Sequence, residues 1–133
     1  MPDKEFDDSV VTADKWSRMI ALFVAIGAFL LALQLTDDLQ FSSVVAAVAG
    51  IGSRIYIPYH ASLRVPEDDR LPIHEHPMTG NYNHGAAGLA LLVTSVVSLG
   101  VFLLGHGFVT AVGVGIGSGV ISYFVLRSLL PTA

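Results

Sequence analysis

Four long apolar segments, separated by short polar stretches, dominate the hydrophobic pattern of this chain. They cover approximately residues 16–35, 41–59, 84–104 and 108–130. Each contains a run of about 17 to 20 predominantly apolar residues, the length that an α-helix needs to cross a hydrocarbon core of about 30 Å. The pattern therefore predicts an all-α membrane protein with four transmembrane helices.

The polar connections predict how these four spans are arranged. Two linkers, Thr36–Gln40 and Gly105–Gly107, are so short that each must join two antiparallel helices in a hairpin. Residues 60–83 form a longer polar loop, in which three prolines exclude a continuous helix. Residues 1–15 are acidic and are predicted to be a polar tail in front of a four-span domain at 16–133. A cleaved signal peptide is disfavoured, because its first residues should be basic and its apolar run shorter.

The composition supports a membrane location and removes several classes of function. Of 133 residues, 53% are hydrophobic and 14% are charged, and the mean hydropathy is +0.64, which is higher than in a typical soluble domain. The chain has no cysteine, which excludes disulfides and thiolate metal sites. No basic stripe is present, so nucleic acid is not a predicted partner. The acidic polar segments suit a high-salt organism.

The distribution of basic residues predicts the orientation of the spans. All seven lie on or near one face of the membrane, the face shared by the tail, the central loop and the C-terminus: Lys4, Lys15, Arg18, Arg54, Arg64, Arg70 and Arg127. The two tight turns on the other face contain Asp37, Asp38 and His106 instead. Because positive charge is retained on the cytoplasmic side, we expect a multi-pass protein of the cell membrane with both termini in the cytoplasm.

Several residues near the ends of the spans are predicted to anchor them at the interface: Trp16, Arg18, Arg54, Tyr56 and Tyr59. Arg54 is the formally charged residue that lies deepest inside an apolar segment, because Arg18 and Arg127 stand at segment ends. Arg54 precedes Pro58 by about one turn, so its stem can stay in lipid while its guanidinium reaches the headgroups. The alternative is an arginine buried for a functional purpose.

Small residues recur at intervals of four in the second and fourth spans. Candidate packing positions are Ala46, Gly50, Gly113, Gly115, Gly117 and Gly119. Such spacing clears a stripe along a helix and lets a second backbone approach closely. The pattern predicts close packing of spans two and four, and the alternative is a face for self-association.

A shift of 65 residues superimposes parts of the two hairpins. It places Ala46 on Ala111, residues 50–53 (Gly-Ile-Gly-Ser) on residues 115–118 with the same four letters, and Pro66 on Pro131. The match predicts an internal duplication of one hairpin, with both copies in the same orientation. Chance matching among small and apolar residues is the competing interpretation, and the sequence leaves both open.

Histidines of the central loop are the candidate metal ligands. His74 and His76 alternate in sequence and point the same way on an extended segment, so with His84 or Met78 they form a candidate copper or zinc site. A solvated loop with interfacial histidines accounts for the same residues. A haem held by His60 and His84 is a further hypothesis, although no histidine lies in mid-span.

The function predicted from these features is helix packing, with the partner either a second copy or other subunits of a membrane complex. No serine with a plausible base, pair of catalytic carboxylates or phosphate loop is present in the pattern, which favours a role other than catalysis. The alternatives are a metal- or haem-binding membrane protein, and a passive channel or small transporter.

Overall fold

A computed structural model describes residues 7–69 and 82–131, which form four long α-helices. These are α1 (Asp8–Thr36), α2 (Leu39–Leu63), α3 (His84–Leu103) and α4 (Phe108–Leu129), with a short 3-10 helix at Glu67–Asp69 after α2. All four are long and apolar enough to cross a membrane. The predicted fold class is confirmed: an all-α membrane protein whose four helices form two antiparallel hairpins.

Polar residues with special backbone conformations make the two hairpin turns. Asp37 has a left-handed φ of 51°, and its N–H donates to the carbonyl of Leu33 to end α1. The side chain of Asp38 then accepts a hydrogen bond of 2.8 Å from the backbone of Phe41, which caps α2. In the second turn Gly105 has a φ of 96°, a conformation that favours glycine. We call this end of the molecule the turn end, and the opposite one the termini end.

Two helices extend further at the termini end than the apolar pattern predicts. The α1 helix begins at Asp8, so part of the predicted tail is helical. Asp7 caps it by accepting from the backbone and hydroxyl of Ser9, and these hydrogen bonds hold the pKa of Asp7 below its usual value. The α2 helix continues through Pro58 to Leu63. Because proline has no N–H, the carbonyl of Arg54 loses its usual helical partner there.

The helices pack side by side in chain order, with α2 and α3 in the middle. The substantial contacts join α1 to α2, α2 to α3 and α3 to α4. As edge helices, α1 and α4 leave large apolar side chains exposed, including Phe23 and Leu30 on α1 and Ile121 on α4. The predicted glycine-mediated packing of spans two and four is therefore wrong, because α3 lies between them.

Aromatic side chains connect the helices at both ends. At the turn end Phe41 is fully buried, stacks on Phe102 at 4.2 Å and meets the edge of Phe108 at 5.9 Å. At the termini end Tyr59 is buried, and its hydroxyl donates to the carbonyl of Pro131. These contacts tie α2 to α4 although the two helices do not pack along their lengths.

Candidate functional site

A polar cluster joins α1 to α2 at the termini end and contains Arg54, the charge predicted deepest inside a span. The Nη1 atom of Arg54 lies 2.6 Å from Oδ1 of Asp14 and 2.7 Å from the hydroxyl of Ser17. Ser17 is fully buried and donates in turn to the backbone carbonyl of Asp14. Arg18 approaches the same carboxylate at 3.5 Å from the outer side. Arg54 is thus held by protein groups and is still one-third exposed.

The register of the first hairpin places these groups together. Thr36 faces Ser42 across the turn, and Gly50 lies against Ala25 further along. Continuing that antiparallel register brings Arg54 close to the level of Ala21, and its long side chain extends from there toward the termini end to reach Ser17 and Asp14. The apolar pattern missed Asp14 and Ser17 because they belong to the predicted tail and its border, and counting residues back from the turn pairs Arg54 with a position one to two turns away from them.

The other predicted interface anchors have different surroundings. Trp16 is 57% exposed on α1, and Tyr56 is partly exposed beside His60. Tyr59 faces inward, where its ring lies so close to Gly85 that even a Cβ at that position would overlap it. Tyr59 therefore packs α2 against α3 and the end of α4 and does not face the lipid.

One face of α4 is fitted closely to α3. A Cβ added to Gly115 would overlap the hydroxyl of Ser98, and one added to Gly119 would overlap the hydroxyl of Thr94. Ala111, one turn before Gly115, is fully buried. These small residues allow α4 to approach the polar side chains of α3 in the middle of the span.

The glycines of α2 have equivalent roles toward different neighbours. A Cβ at Gly50 would lie 3.1 Å from that of Ala25 on α1, and one at Gly52 would lie 2.8 Å from the carbonyl oxygen of Gly88 on α3. Ala46, which is also on α2, is buried. Small residues on opposite sides of α2 thus let it contact both neighbours closely.

The opposite face of α4 has two glycines with no neighbour. Nothing lies within 4 Å of the position that a Cβ would occupy at Gly113 or Gly117. At 100° per residue, these two glycines lie about 120° to 160° around the helix from Gly115 and Gly119. The predicted packing positions on α4 therefore divide into a pair that α3 covers and a pair that is open.

The described histidines occupy separate environments. His60 is exposed at the end of α2, with its Nε2 3.2 Å from the guanidinium of Arg64. His84 is buried at the start of α3 and stacks on Tyr82 at 4.0 Å, and His106 is exposed in the turn between α3 and α4. Within residues 7–69 and 82–131, no three His, Asp or Glu side chains form a candidate metal group. His74, His76 and Met78 lie outside the described residues.

Known proteins offer no template for this arrangement: no protein-family model, curated protein or solved structure matches the chain. Its function has to be argued from the helices and the site.

Proposed function

We propose that this multi-pass membrane protein works by assembling with a second copy of itself through the open glycine face of α4. The single observation that carries the proposal is the uncovered pair Gly113 and Gly117, one turn apart in mid-helix. This spacing is the one that lets two membrane helices cross with their backbones in contact.

The free-energy cost of glycine inside a helix favours a binding partner for this face. A glycine in a helix interior costs about 1 kcal/mol relative to alanine, and for Gly115 and Gly119 that cost is offset by close packing on α3. Within the described residues, no neighbour offsets the same cost at Gly113 or Gly117. A second helix seated on them would do so through dispersion contacts.

The side chains around the open pair are suited to such a contact. Val109, Val120 and Phe124 lie within about 40° of Gly113 around the helix axis, and they are 83%, 52% and 60% exposed. They form ridges above and below a groove whose floor is the two glycines. Two copies of this surface can interlock about a two-fold axis, the symmetry of the commonest homo-oligomers.

The test compares glycine replacements that leave the folded chain intact. In Gly117→Leu the new side chain would fill the groove, and we expect dimerisation in liposomes, measured by energy transfer between labelled copies, to weaken about tenfold. Gly27→Leu is the matched control, since Gly27 is also an open glycine in the middle of a helix but has no glycine partner four residues away. Equal dimerisation of the two variants would contradict the proposed face.

The experiment also distinguishes self-association from binding to a different membrane protein. If the purified chain is a monomer but migrates in a larger complex from native membranes, and Gly117→Leu releases it, the same face binds another subunit. A wild-type chain that is monomeric both in native membranes and after purification would rule out both forms of the proposal.

We further propose that both termini face the cytoplasm and that the membrane is the cell membrane. The support is the charge at the two ends of the described helices: Arg18, Arg54 and Arg127 lie toward the termini end, and Asp37 and Asp38 at the turn end. Basic residues that flank spans are retained on the cytoplasmic side.

A further inference from the structure

An open groove runs between the ends of α1 and α2 where both helices leave the apolar zone. Beyond Trp16 and Arg54, each helix continues for about eight to ten residues, or about 12 to 15 Å. The polar layer of a membrane leaflet is only about 5 to 8 Å deep, so this part of the hairpin crosses the headgroup region. The groove has a volume of about 490 Å³.

The lining of the groove changes from apolar to polar along its length. Trp16 on α1 and Ile57 on α2 line the groove at the membrane side. Asp8 and Ser9, at the start of α1, line it at the outer side, where Arg64 follows the end of α2. A lipid oriented along the membrane normal has the same arrangement, with its apolar part toward the membrane interior and its polar part toward the surface.

Arg64 is available to bind an anion at the outer side. Among the described residues it takes part in no ion pair, whereas Arg54 and Arg18 already share the carboxylate of Asp14. Its guanidinium lies 3.2 Å from Nε2 of His60, whose other ring nitrogen is 3.4 Å from the hydroxyl of Tyr56. Thr12 lines the facing wall of the groove. The guanidinium of Arg64 donates to His60, which fixes its position, and the remaining N–H groups of the fork match the oxygens of a phosphate group.

We propose that this groove binds one membrane phospholipid, with the phosphate held by Arg64 and Thr12 while His60 positions the guanidinium of Arg64. The glycerol backbone and the start of an acyl chain lie against Trp16 and Ile57, in the amphipathic position that tryptophan favours at the interface. Asp8 at the outer rim faces the headgroup substituent, where a carboxylate favours an ammonium or a hydroxyl. The site is on α1 and α2, so it is separate from the α4 face proposed for assembly and does not depend on it.

Native mass spectrometry of the full chain tests the site. The protein is reconstituted in vesicles of phosphatidylethanolamine and phosphatidylglycerol, extracted in mild detergent and stripped stepwise of lipid. We expect one phospholipid to remain on the wild type and its affinity to fall about tenfold in Arg64→Gln, which loses the charged donor. The matched control is Arg127→Gln, because Arg127 is an exposed arginine at the same end of the molecule but outside the groove.

Two further arms of the experiment distinguish a bound phospholipid from a free anion and from boundary lipid. Inorganic phosphate alone at millimolar concentration should not compete with the retained lipid, because it cannot contact Trp16 and Ile57, and Trp16→Ala should weaken retention even though Arg64 is intact. If the Arg64→Gln variant does not fold, the double variant His60→Gln/Arg64→Lys takes its place in the comparison with Arg127→Gln. Equal retention by the Arg64 and Arg127 variants would mean only unspecific boundary lipid, and displacement by inorganic phosphate would mean a free anion site. Either result overturns the proposal.

Discussion

Arg54 and Asp14 form a hydrogen-bonded ion pair 40 positions apart in sequence, with Nη1 of the arginine 2.6 Å from Oδ1 of the aspartate. The pair joins α1 to α2 near the level where Trp16 marks the end of the apolar zone. The buried hydroxyl of Ser17 accepts a second hydrogen bond from the same nitrogen. Arg54 therefore lies near the membrane interface and also connects the two helices of the first hairpin.

Replacing Arg54 tests how much this connection stabilises the hairpin. We expect Arg54→Ala to lower the free energy of unfolding by about 1 kcal/mol, because charge-assisted hydrogen bonds are lost but the partly exposed pair is screened by solvent. A double-mutant cycle with Asp14→Ala isolates the coupling energy of the Arg54–Asp14 pair. The free energy of unfolding of each variant is measured by denaturation in mixed micelles. A coupling energy of zero would show that the contact does not stabilise the fold.

The second arginine on Asp14 provides the comparison. Arg18 lies 3.5 Å from the same carboxylate, but its side chain is 70% exposed. In the matching cycle of Arg18→Ala with Asp14→Ala, we expect a coupling energy of at most a few tenths of a kcal/mol. If the Arg18 cycle gave the larger coupling, the assignment of Arg54 as the connecting residue would be wrong.

The two glycine pairs of α4 should respond oppositely to alanine. Gly115→Ala should destabilise the monomer by about 1 to 3 kcal/mol, since the new methyl group would overlap Ser98 on α3. Gly113→Ala should be neutral or stabilise the monomer by up to about 1 kcal/mol, since its methyl group meets no atom and alanine is the better helix former. Thermal unfolding in a detergent that keeps the chain monomeric measures both, and similar losses for the two variants would contradict the assigned faces.

The apolar pattern was sufficient to predict the four helices and their hairpin pairing, because bilayer thickness sets span length and short linkers force neighbours to be antiparallel. It could not predict which helix each glycine faces. Gly50 and Gly115 both lie against the preceding helix of their own hairpin, and small-residue spacing alone does not specify a partner. Gly50 and Gly115 are also the positions that the 65-residue shift superimposes. The internal duplication of the hairpin stays a prediction.

The ends of α1 and α2 were less predictable for a related reason. Apolar periodicity stops at the interface, whereas Asp7 supplies a cap that starts α1 outside the apolar zone. The continuation of α2 beyond Tyr59 to Leu63 gave no signal either, because the apolar run ends there and Pro58 normally indicates a nearby helix end. The Asp14 cluster and the groove beside Arg64 both depend on these extensions, and so neither was anticipated.

The proposed metal site in the central loop has its own test. If His74 and His76 hold copper or zinc, the purified protein should bind about one equivalent of metal, and His76→Ala should remove it. The control is His106→Ala, which changes an exposed histidine in the turn between α3 and α4. Elemental analysis after dialysis measures the metal, and an absorption spectrum with a Soret band would indicate haem instead. Metal content unaffected by His76→Ala would contradict the loop site.

The absence of cysteine from the chain makes the orientation directly measurable. In His106→Cys, the single thiol in the exposed turn between α3 and α4 should react with a membrane-impermeant maleimide added to intact cells, because the turn end is expected outside. In Ser128→Cys, the thiol is exposed near the end of α4 and should react only after the cells are opened. The reverse pattern would place the termini outside, and labelling of both positions in intact cells would indicate mixed orientations.

The contact of Tyr59 with Pro131 predicts how the C-terminal end of α4 is held. Tyr59→Phe removes the hydroxyl that donates to the Pro131 carbonyl and should weaken the attachment of that end by about 1 kcal/mol. Gly85→Ala should destabilise the whole fold by about 1 to 3 kcal/mol, since its methyl group would overlap the ring and push α3 from α2. Carboxypeptidase digestion separates the two effects: in Tyr59→Phe we expect faster trimming with a nearly unchanged melting temperature, and in Gly85→Ala a lower melting temperature as well. Trimming of Tyr59→Phe at the wild-type rate would show that this hydrogen bond does not secure the end of α4.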